Sequence, residues 1–263
     1  MKQRIITGVI AGAGFLGIII LGGIPFTVLI FLLATIAMGE ILKMKGISPY
    51  TYRGAIAFLF MWLLLLPEWL LPFNALHVER AEMFLLLIVV LLAVTVISKN
   101  AFTFDEAGFV ILSSVYIGLG FHYFLEARFL DEGLIFIFFV LILVWVTDSG
   151  AYFCGRFLGK HKLWPEISPK KTIEGSLGGI MAAVIFGLVY AWFFPVFDSL
   201  IITVACILIV SAAGQLGDLV ESALKRHYSV KDSGQVLPGH GGILDRFDSL
   251  IFVMPVLYLL TFI

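Results

Sequence analysis

Long apolar stretches restrict what this chain can fold into more than any other feature of its sequence. A membrane-spanning helix needs roughly 17–25 predominantly apolar residues, and nine segments reach or approach that length. They lie near residues 5–21, 24–41, 54–72, 82–98, 108–126, 133–147, 176–194, 199–217 and 247–263. The chain is 61% hydrophobic and 13% charged, whereas about one-quarter of the residues in a typical soluble domain are charged. The sequence therefore predicts an all-α, polytopic integral membrane helical bundle of about nine transmembrane helices.

The basic residues predict the orientation of this bundle. If the N-terminus is cytoplasmic and nine spans alternate, only Arg80 and Arg128 of the 17 Lys and Arg residues fall outside, which leaves 15 inside. Cytoplasmic loops of membrane proteins carry such an excess of positive charge. We therefore expect an integral protein of the cell (inner) membrane with its working loops on the cytoplasmic side.

Polar residues are concentrated in the second half of the chain. Connections before residue 130 are short, whereas three polar segments follow at 148–175, 218–232 and 233–248. We interpret residues 1–130 as an N-terminal transmembrane scaffold. Residues 131–263 are interpreted as the C-terminal catalytic part of the same continuous membrane domain.

The eighth apolar stretch continues into a polar sequence that still has helical spacing. Asp218, Ser222 and Lys225 recur at i, i+4 and i+7, so they share one helix face. An ionised group at the rim of an apolar span is costly, which favours a functional role for Asp218. We interpret Glu221 as one half of an ordinary solvated pair with Lys225, and Glu40 as a plain helix-end residue.

A glycine-rich loop over 229–243 follows, and it leads directly into the last apolar stretch. Glycines give the backbone conformations that other residues avoid, and they let N–H groups face an anion. The surrounding cations favour a phosphate-binding loop over a simple connector; they are Lys225, Arg226, Lys231 and Arg246. His240 fits either a phosphate contact or a structural role in the loop.

Asp245 and Asp248 lie in the opening turns of the last predicted helix. Either could interact favourably with the helix dipole, but two are more than this role requires. With Asp218 they form the oxygen-rich set that Mg²⁺ prefers, together with water and substrate phosphates. The sequence thus predicts a magnesium site near Asp218 and Asp245.

A second polar segment, 148–175, contains Asp148 and then a compact basic and hydroxylic group. That group consists of Ser168, Lys170, Lys171, Thr172 and Glu174. The two adjacent lysines fit two interpretations equally well. They are either topology signals or lipid-headgroup contacts, or they bind a triphosphate.

The stretch Ser222–Asp248, SALKRHYSVKDSGQVLPGHGGILDRFD, resembles the signature of phosphatidate cytidylyltransferases (CDP-diacylglycerol synthases). The upstream sequences TDSGAYFCGR, SPKKTIEG and GQLGDLVES are also similar to that family. The resemblance implies transfer of CMP from CTP to phosphatidate in the membrane, with pyrophosphate as the other product and Mg²⁺, with a possible second cation, as cofactor.

The resemblance also implies roles for individual residues. Asp218 and Asp245 would bind the metal. The expected catalytic residues are Asp218, Asp245, Lys225, Arg226, Lys231 and Asp248. The expected substrate contacts are Ser222, His240, Gly241, Gly242, Arg246, Asp148, Ser168, Lys170, Lys171, Thr172 and Glu174.

Two other functions remain open on the sequence alone. A CTP-dependent polyprenol kinase of the dolichol kinase type would release CDP instead of pyrophosphate. A membrane transporter would place ionisable groups near the middle of its spans, whereas here they gather at helix ends. We expect CTP and membrane lipid as partners, a possible homodimer and no nucleic acid.

Overall fold

The structure is a computed structural model that describes residues 2–67, 80–236, 239 and 241–263. Residues 2–7 and residue 80 are described by their backbone only. Within these ranges the protein is a bundle of α-helices. Their bounds are α1 Lys2–Leu21, α2 Gly23–Lys45, α3 Tyr52–Leu65, α4 Arg80–Ile97, α5 Phe104–Ser114, α6 Gly120–Phe129, α7 Gly133–Leu158, α8 Ile173–Phe193, α9 Leu200–His227 and α10 Leu244–Leu259. A π-helical turn, Val115–Leu119, joins α5 to α6 into one continuous rod.

Each of the nine predicted apolar stretches coincides with one of these helices, counting the α5–α6 rod as one. Within the described ranges, five helices are long and apolar enough to cross a membrane, namely α2, the α5–α6 rod, α7, α8 and α9. Shorter apolar helices account for Gly8–Leu21, Tyr52–Leu65 and Ala81–Ile97. The prediction of a helical membrane bundle is thus supported, while the number of crossings and their direction stay predictions.

Helix bounds differ from the predicted spans mainly at the polar ends. The sixth predicted span stopped at residue 147, but α7 continues to Leu158, so Asp148 lies inside a helix. The end of the third predicted span, residues 68–72, lies outside the described residues. The predicted continuation of the eighth span is confirmed, because α9 runs unbroken to His227.

Small residues let α7 and α8 approach closely. A Cβ atom added at Gly175 of α8 would lie 2.8 Å from the carbonyl oxygen of Ala151 in α7. The same addition at Gly179 would lie 2.7 Å from the carbonyl oxygen of Thr147. Close backbone approach through small residues is typical of helix pairs in membranes. This contact places Asp148 beside the start of α8.

A small β-hairpin, which the sequence analysis did not predict, connects α7 to α8. Strand β1 (Lys162–Trp164) pairs antiparallel with β2 (Ser168–Thr172), with Lys162 opposite Thr172 and Trp164 opposite Ser168. Its strands are only three and five residues long, and neither shows the sustained apolar alternation that identifies a half-buried strand. Because β2 leads straight into α8, the hairpin holds Lys171 against the bundle, while Lys170 is exposed.

Helices α9 and α10 are in backbone contact where the polar residues begin. A Cβ atom at Gly217 would lie 2.8 Å from the carbonyl oxygen of Asp248 and 2.9 Å from the Cα atom of Ser249. Only a glycine fits here without displacing one helix from the other. The contact brings Asp218, the next residue of α9, close to the first turns of α10.

Candidate active site

Lys225 and Asp245 form the centre of the polar cluster between α9 and α10. The Lys225 Nζ lies 2.7 Å from Asp245 Oδ1 and also pairs with Glu221 Oε2, one helical turn before it. These side chains are largely buried: Lys225 is 14% exposed, Asp245 8% and Glu221 1%. A single ammonium group thus lies between two buried carboxylates.

The glycine-rich loop is bound to Asp245. Its Oδ2 atom accepts hydrogen bonds from the backbone N–H of Ser233 (2.9 Å), from the Ser233 hydroxyl (2.8 Å) and from the backbone N–H of Gly242 (2.8 Å). Gly241 adopts φ 84°, a left-handed conformation that glycine adopts at little cost. In this conformation backbone N–H groups of the loop donate hydrogen bonds to Asp245, whereas the sequence predicted that they would face a phosphate.

Asp218 is bound to the hairpin. Its Oδ2 lies 2.6 Å from the Nζ of Lys171 in β2, and the Ser222 hydroxyl donates to its Oδ1 over 3.3 Å. The predicted face shared by Asp218 and Ser222 is therefore confirmed. Lys171, one of the two predicted triphosphate ligands, lies directly against a predicted metal ligand.

Two other residues of the predicted substrate-binding group fix the hairpin in place. The Thr172 hydroxyl accepts from the backbone N–H of Gly175 and so caps α8. The Glu174 carboxylate accepts from the backbone N–H of Lys160 (3.0 Å) and lies 2.6 Å from Nδ1 of His161. Both residues have structural partners, and their contact with a substrate stays a prediction.

The other predicted residues differ in their contacts and exposure. Arg226 donates from Nε to the carbonyl oxygen of Ile167, which ties α9 to the hairpin. Asp248 accepts from the backbone N–H of Ser249 over 2.7 Å. Lys170, Lys231 and Arg246 are exposed, Ser168 is partly buried in β2, and His240 lies outside the described residues.

A cavity of about 640 Å³ adjoins the polar cluster. We call it the α1–α10 cavity, since α1, α2, α7 and α10 line it. Most of its lining is apolar, including Phe15, Leu29 and Trp145. The ionisable part of the lining comprises Asp148, Asp245, Arg246 and Asp248. The cavity thus combines an apolar wall with charged groups, which is the character of a site for an amphipathic ligand.

Charge in this region is predominantly negative. Asp148, Asp218 and Asp248 are close enough for their charges to act on one another, with Lys171 and Lys225 as nearby cations. The described residues contain no group of three or more His, Cys, Asp or Glu side chains placed to hold a metal ion. Mg²⁺ is often bound by only one or two carboxylates together with water and ligand phosphates, so the magnesium site on Asp218 and Asp245 stays a prediction.

Two carboxylates that the sequence interpretation set aside belong to this cluster. Glu221 does pair with Lys225, as expected, but the pair is buried rather than solvated. Glu40, from α2, is 3% exposed and contacts the glycine-rich loop. The i, i+4 spacing of Glu221 and Lys225 is a local signal that could have identified Glu221 as part of the cluster. No local pattern identifies Glu40, because its partners lie about 200 positions further along the chain.

Comparisons with known proteins agree on one family. Residues 2–263 match the cytidylyltransferase family. The chain belongs to this family. It is 53% identical over 265 residues to phosphatidate cytidylyltransferase of Bacillus subtilis (strain 168), covering 99% of this chain and 97% of that one.

Further relatives show the same correspondence. Phosphatidate cytidylyltransferases of Staphylococcus epidermidis (strain ATCC 35984) and Staphylococcus aureus (strain COL) are 45% and 44% identical, each covering 99% of this chain and 98% of the relative. Membership in the family makes this protein a nucleotidyltransferase and confirms the resemblance seen in the sequence. It favours an enzyme over the transporter alternative.

Proposed function

We propose that this protein is an integral membrane enzyme that transfers CMP from CTP to phosphatidate, giving CDP-diacylglycerol and pyrophosphate for phospholipid biosynthesis. The observation that carries the proposal is the α1–α10 cavity, in a chain that matches phosphatidate cytidylyltransferases along its whole length. Its apolar wall suits acyl chains, and its charged groups suit a phosphate headgroup beside a nucleotide. Lys170, Arg226 and Arg246 are exposed and would supply positive charge for the phosphates of both substrates.

The reaction requires little acid–base chemistry from the protein. An oxygen of the phosphatidate phosphate forms a bond to the α-phosphorus of CTP, and the bond from that phosphorus to the oxygen bridging to the β-phosphate breaks. The nucleophile is already anionic, and pyrophosphate leaves with the electron pair of the broken bond. The barrier arises from repulsion between two anionic substrates and from the need for in-line alignment, which positioning and electrostatic stabilisation lower.

Specific side chains are placed for these tasks. Lys225 and Arg226 lie at the end of α9, and Arg246 lies in the cavity wall, so they would neutralise phosphate oxygens. Lys170 and Lys171 on β2 would contact CTP from the hairpin side. Asp245 is bound to the glycine-rich loop and to Lys225, so it would fix the position of the loop relative to α9.

The carboxylates would hold Mg²⁺. Asp218 and Asp245 are the expected ligands, with Asp248 and Asp148 near enough to add negative charge. When bound, the cation would supply Lewis-acid stabilisation of charge on the transferring phosphoryl group, and a second cation is compatible with the same surplus of carboxylates.

We further propose nine crossings of the inner membrane, with the N-terminus and the polar cluster on the cytoplasmic side. CTP is dissolved in the cytosol and phosphatidate in the bilayer, so the site has to lie at their boundary. The basic residues support this orientation. Homodimer formation stays a prediction.

Product analysis tests the proposed function. Purified protein is incubated with phosphatidate, Mg²⁺ and CTP labelled in its α-phosphate. We expect a labelled lipid, an equal amount of pyrophosphate and complete loss of turnover on chelation of the metal. Release of CDP with a polyprenol substrate would instead establish the kinase alternative, and absence of a CMP-bearing lipid across metals and acyl chains would refute the proposal.

Carboxamide variants test the metal ligands. Asp218→Asn and Asp245→Asn should each abolish turnover in protein that remains folded. Asp105→Asn, at an exposed position in the first turn of α5, is the matched control and should retain wild-type rates. Near-normal turnover by either site variant would remove that residue from the metal site.

A further inference from the structure

Glu40 is a buried carboxylate that lies far in sequence from the charged residues of the site. It lies near the end of α2 and is 3% exposed. The ion pairs found among the described residues do not include it. A buried ionisable group is costly unless hydrogen bonds compensate for the lost water. The contacts that hold Glu40 therefore have to be strong enough to offset its burial.

Those contacts all come from the glycine-rich loop and the start of α10. Oε1 accepts from the backbone N–H of Ile243 over 2.9 Å, and Oε2 accepts from the backbone N–H of Leu244 over 2.9 Å. The Ser233 hydroxyl lies 3.3 Å from Oε2. The first N–H groups of a helix lack intrahelical partners and favour negative charge. Glu40 thus caps α10 from a helix in the other half of the chain.

Two glycines of the loop are required by this contact. Cβ atoms added at Gly234 or Gly242 would come within 3 Å of the Glu40 carboxylate. Real Cβ atoms do not approach oxygen so closely, so a side chain at either position would push the loop away from Glu40. These glycines permit the loop to close on a protein carboxylate, a role separate from phosphate binding.

The same contacts connect Glu40 to Asp245. The Ser233 hydroxyl lies between the two carboxylates, 3.3 Å from Glu40 and 2.8 Å from Asp245. Asp245 directly follows Leu244, whose N–H is bound to Glu40. Displacing Glu40 would therefore shift the start of α10 and, with it, the carboxylate that pairs with Lys225.

We propose that Glu40 is a positioning residue for the transfer reaction, holding the glycine-rich loop and Asp245 in the geometry that turnover requires. This inference rests on the proposed function. Glu40 acts through Asp245 and Ser233, without contact with the reacting atoms. Helix α2 would thereby affect the geometry of charged site residues that lie in the second half of the chain.

Glu40→Gln tests this role with little change in size. The amide keeps one acceptor oxygen but turns an NH₂ donor toward groups that are themselves donors. We expect kcat to fall about 100-fold, the loss typical of a displacement of about 1 Å at a reacting centre. We also expect a higher half-saturating Mg²⁺ concentration and faster amide exchange at Ile243 and Leu244.

Glu106→Gln is the matched control. Glu106 also caps a helix, accepting from the backbone N–H of Thr103 over 3.2 Å, and it pairs with Arg53 at 2.8 Å. The substitution weakens a helix cap and an ion pair at α5, and the partners of Glu106 in these bonds, Thr103 and Arg53, lie outside the loop. We expect wild-type kcat and Mg²⁺ dependence for this variant, with any effect confined to thermal stability.

Gly234→Ala gives an independent test if Glu40→Gln does not fold. Its new methyl group should displace Glu40 and lower kcat, whereas in a Glu40→Ala background, where the carboxylate is gone, it should have little further effect.

Wild-type kcat and unchanged amide exchange in Glu40→Gln would overturn the inference, as would additive losses in the double variant. An inactive wild-type protein would instead refute the proposed function, while the exchange measurement would still report whether Glu40 holds the loop.

Discussion

Lys225→Met should destabilise the protein strongly, because it removes the only ammonium group that Glu221 and Asp245 share among the ion pairs of the described residues. Glu221 is 1% exposed and Asp245 8%, so both carboxylates are largely shielded from water. Methionine fills a similar volume, and the change therefore isolates the charge.

The expected loss follows from the energetics of buried pairs. Removing one partner of a buried ion pair costs about 3–5 kcal/mol, since the other charge stays buried without compensation. For a chain of this size a loss of 1 kcal/mol lowers the unfolding midpoint by about 2–4 °C, so we expect a fall of about 6–20 °C. Thermal unfolding in detergent, followed by circular dichroism, measures it.

Two further variants make this prediction specific. Lys231→Met removes a lysine from an exposed position, and it should change the midpoint by less than about 2 °C, as surface substitutions do. Glu221→Gln, added to Lys225→Met, should restore part of the loss because it neutralises one stranded carboxylate. Equal midpoints for the two lysine variants, or a further fall on adding Glu221→Gln, would refute the reasoning.

Three other predictions follow from the described contacts. Lys171→Met should raise the KM for CTP about tenfold, the effect of losing a charged hydrogen bond. It should leave the free energy of unfolding within about 1 kcal/mol of wild type, because the Lys171–Asp218 pair is a quarter to a third exposed. A large loss of stability with normal CTP kinetics would contradict this. Tyr116→Phe should not lower the unfolding midpoint. Among the described residues the buried Tyr116 hydroxyl has no hydrogen-bond partner, so the substitution removes an unsatisfied polar group. A fall of several degrees would show that the hydroxyl is bonded. A cysteine introduced at the exposed Gln235, in a background without the native cysteines, should react with an impermeant maleimide only from the cytoplasmic side, and labelling from outside would overturn the proposed orientation.

The helices could be predicted from the sequence because hydropathy is a local property. Each apolar stretch contains its own reason to be helical in a membrane, where every backbone polar group has to be satisfied within the segment. The shared face of Asp218 and Ser222 was predictable for the same reason, since helical periodicity within α9 places them one turn apart. The family resemblance also rested on contiguous residues, from Ser222 to Asp248.

The partners of these residues depended on tertiary structure. Lys171 meets Asp218 only because a hairpin without a recognisable strand pattern folds against α9. The sequence interpretation assigned the glycine-rich loop to phosphate, whereas its N–H groups at Ser233 and Gly242 bind Asp245. Spacing along the chain carries no information about such contacts between elements.

Glu40 and Glu221 show this division most clearly. By sequence they are ordinary charged residues near helix ends, where solvent is the default environment. Packing of α2, α9 and α10 buries both and surrounds them with N–H groups or an ammonium group. The sequence by itself determined which helices form and which residue types gather at their ends, because these depend on neighbours in the chain. Only the tertiary structure decided which carboxylate meets which donor, because burial and pairing depend on residues up to 204 positions apart.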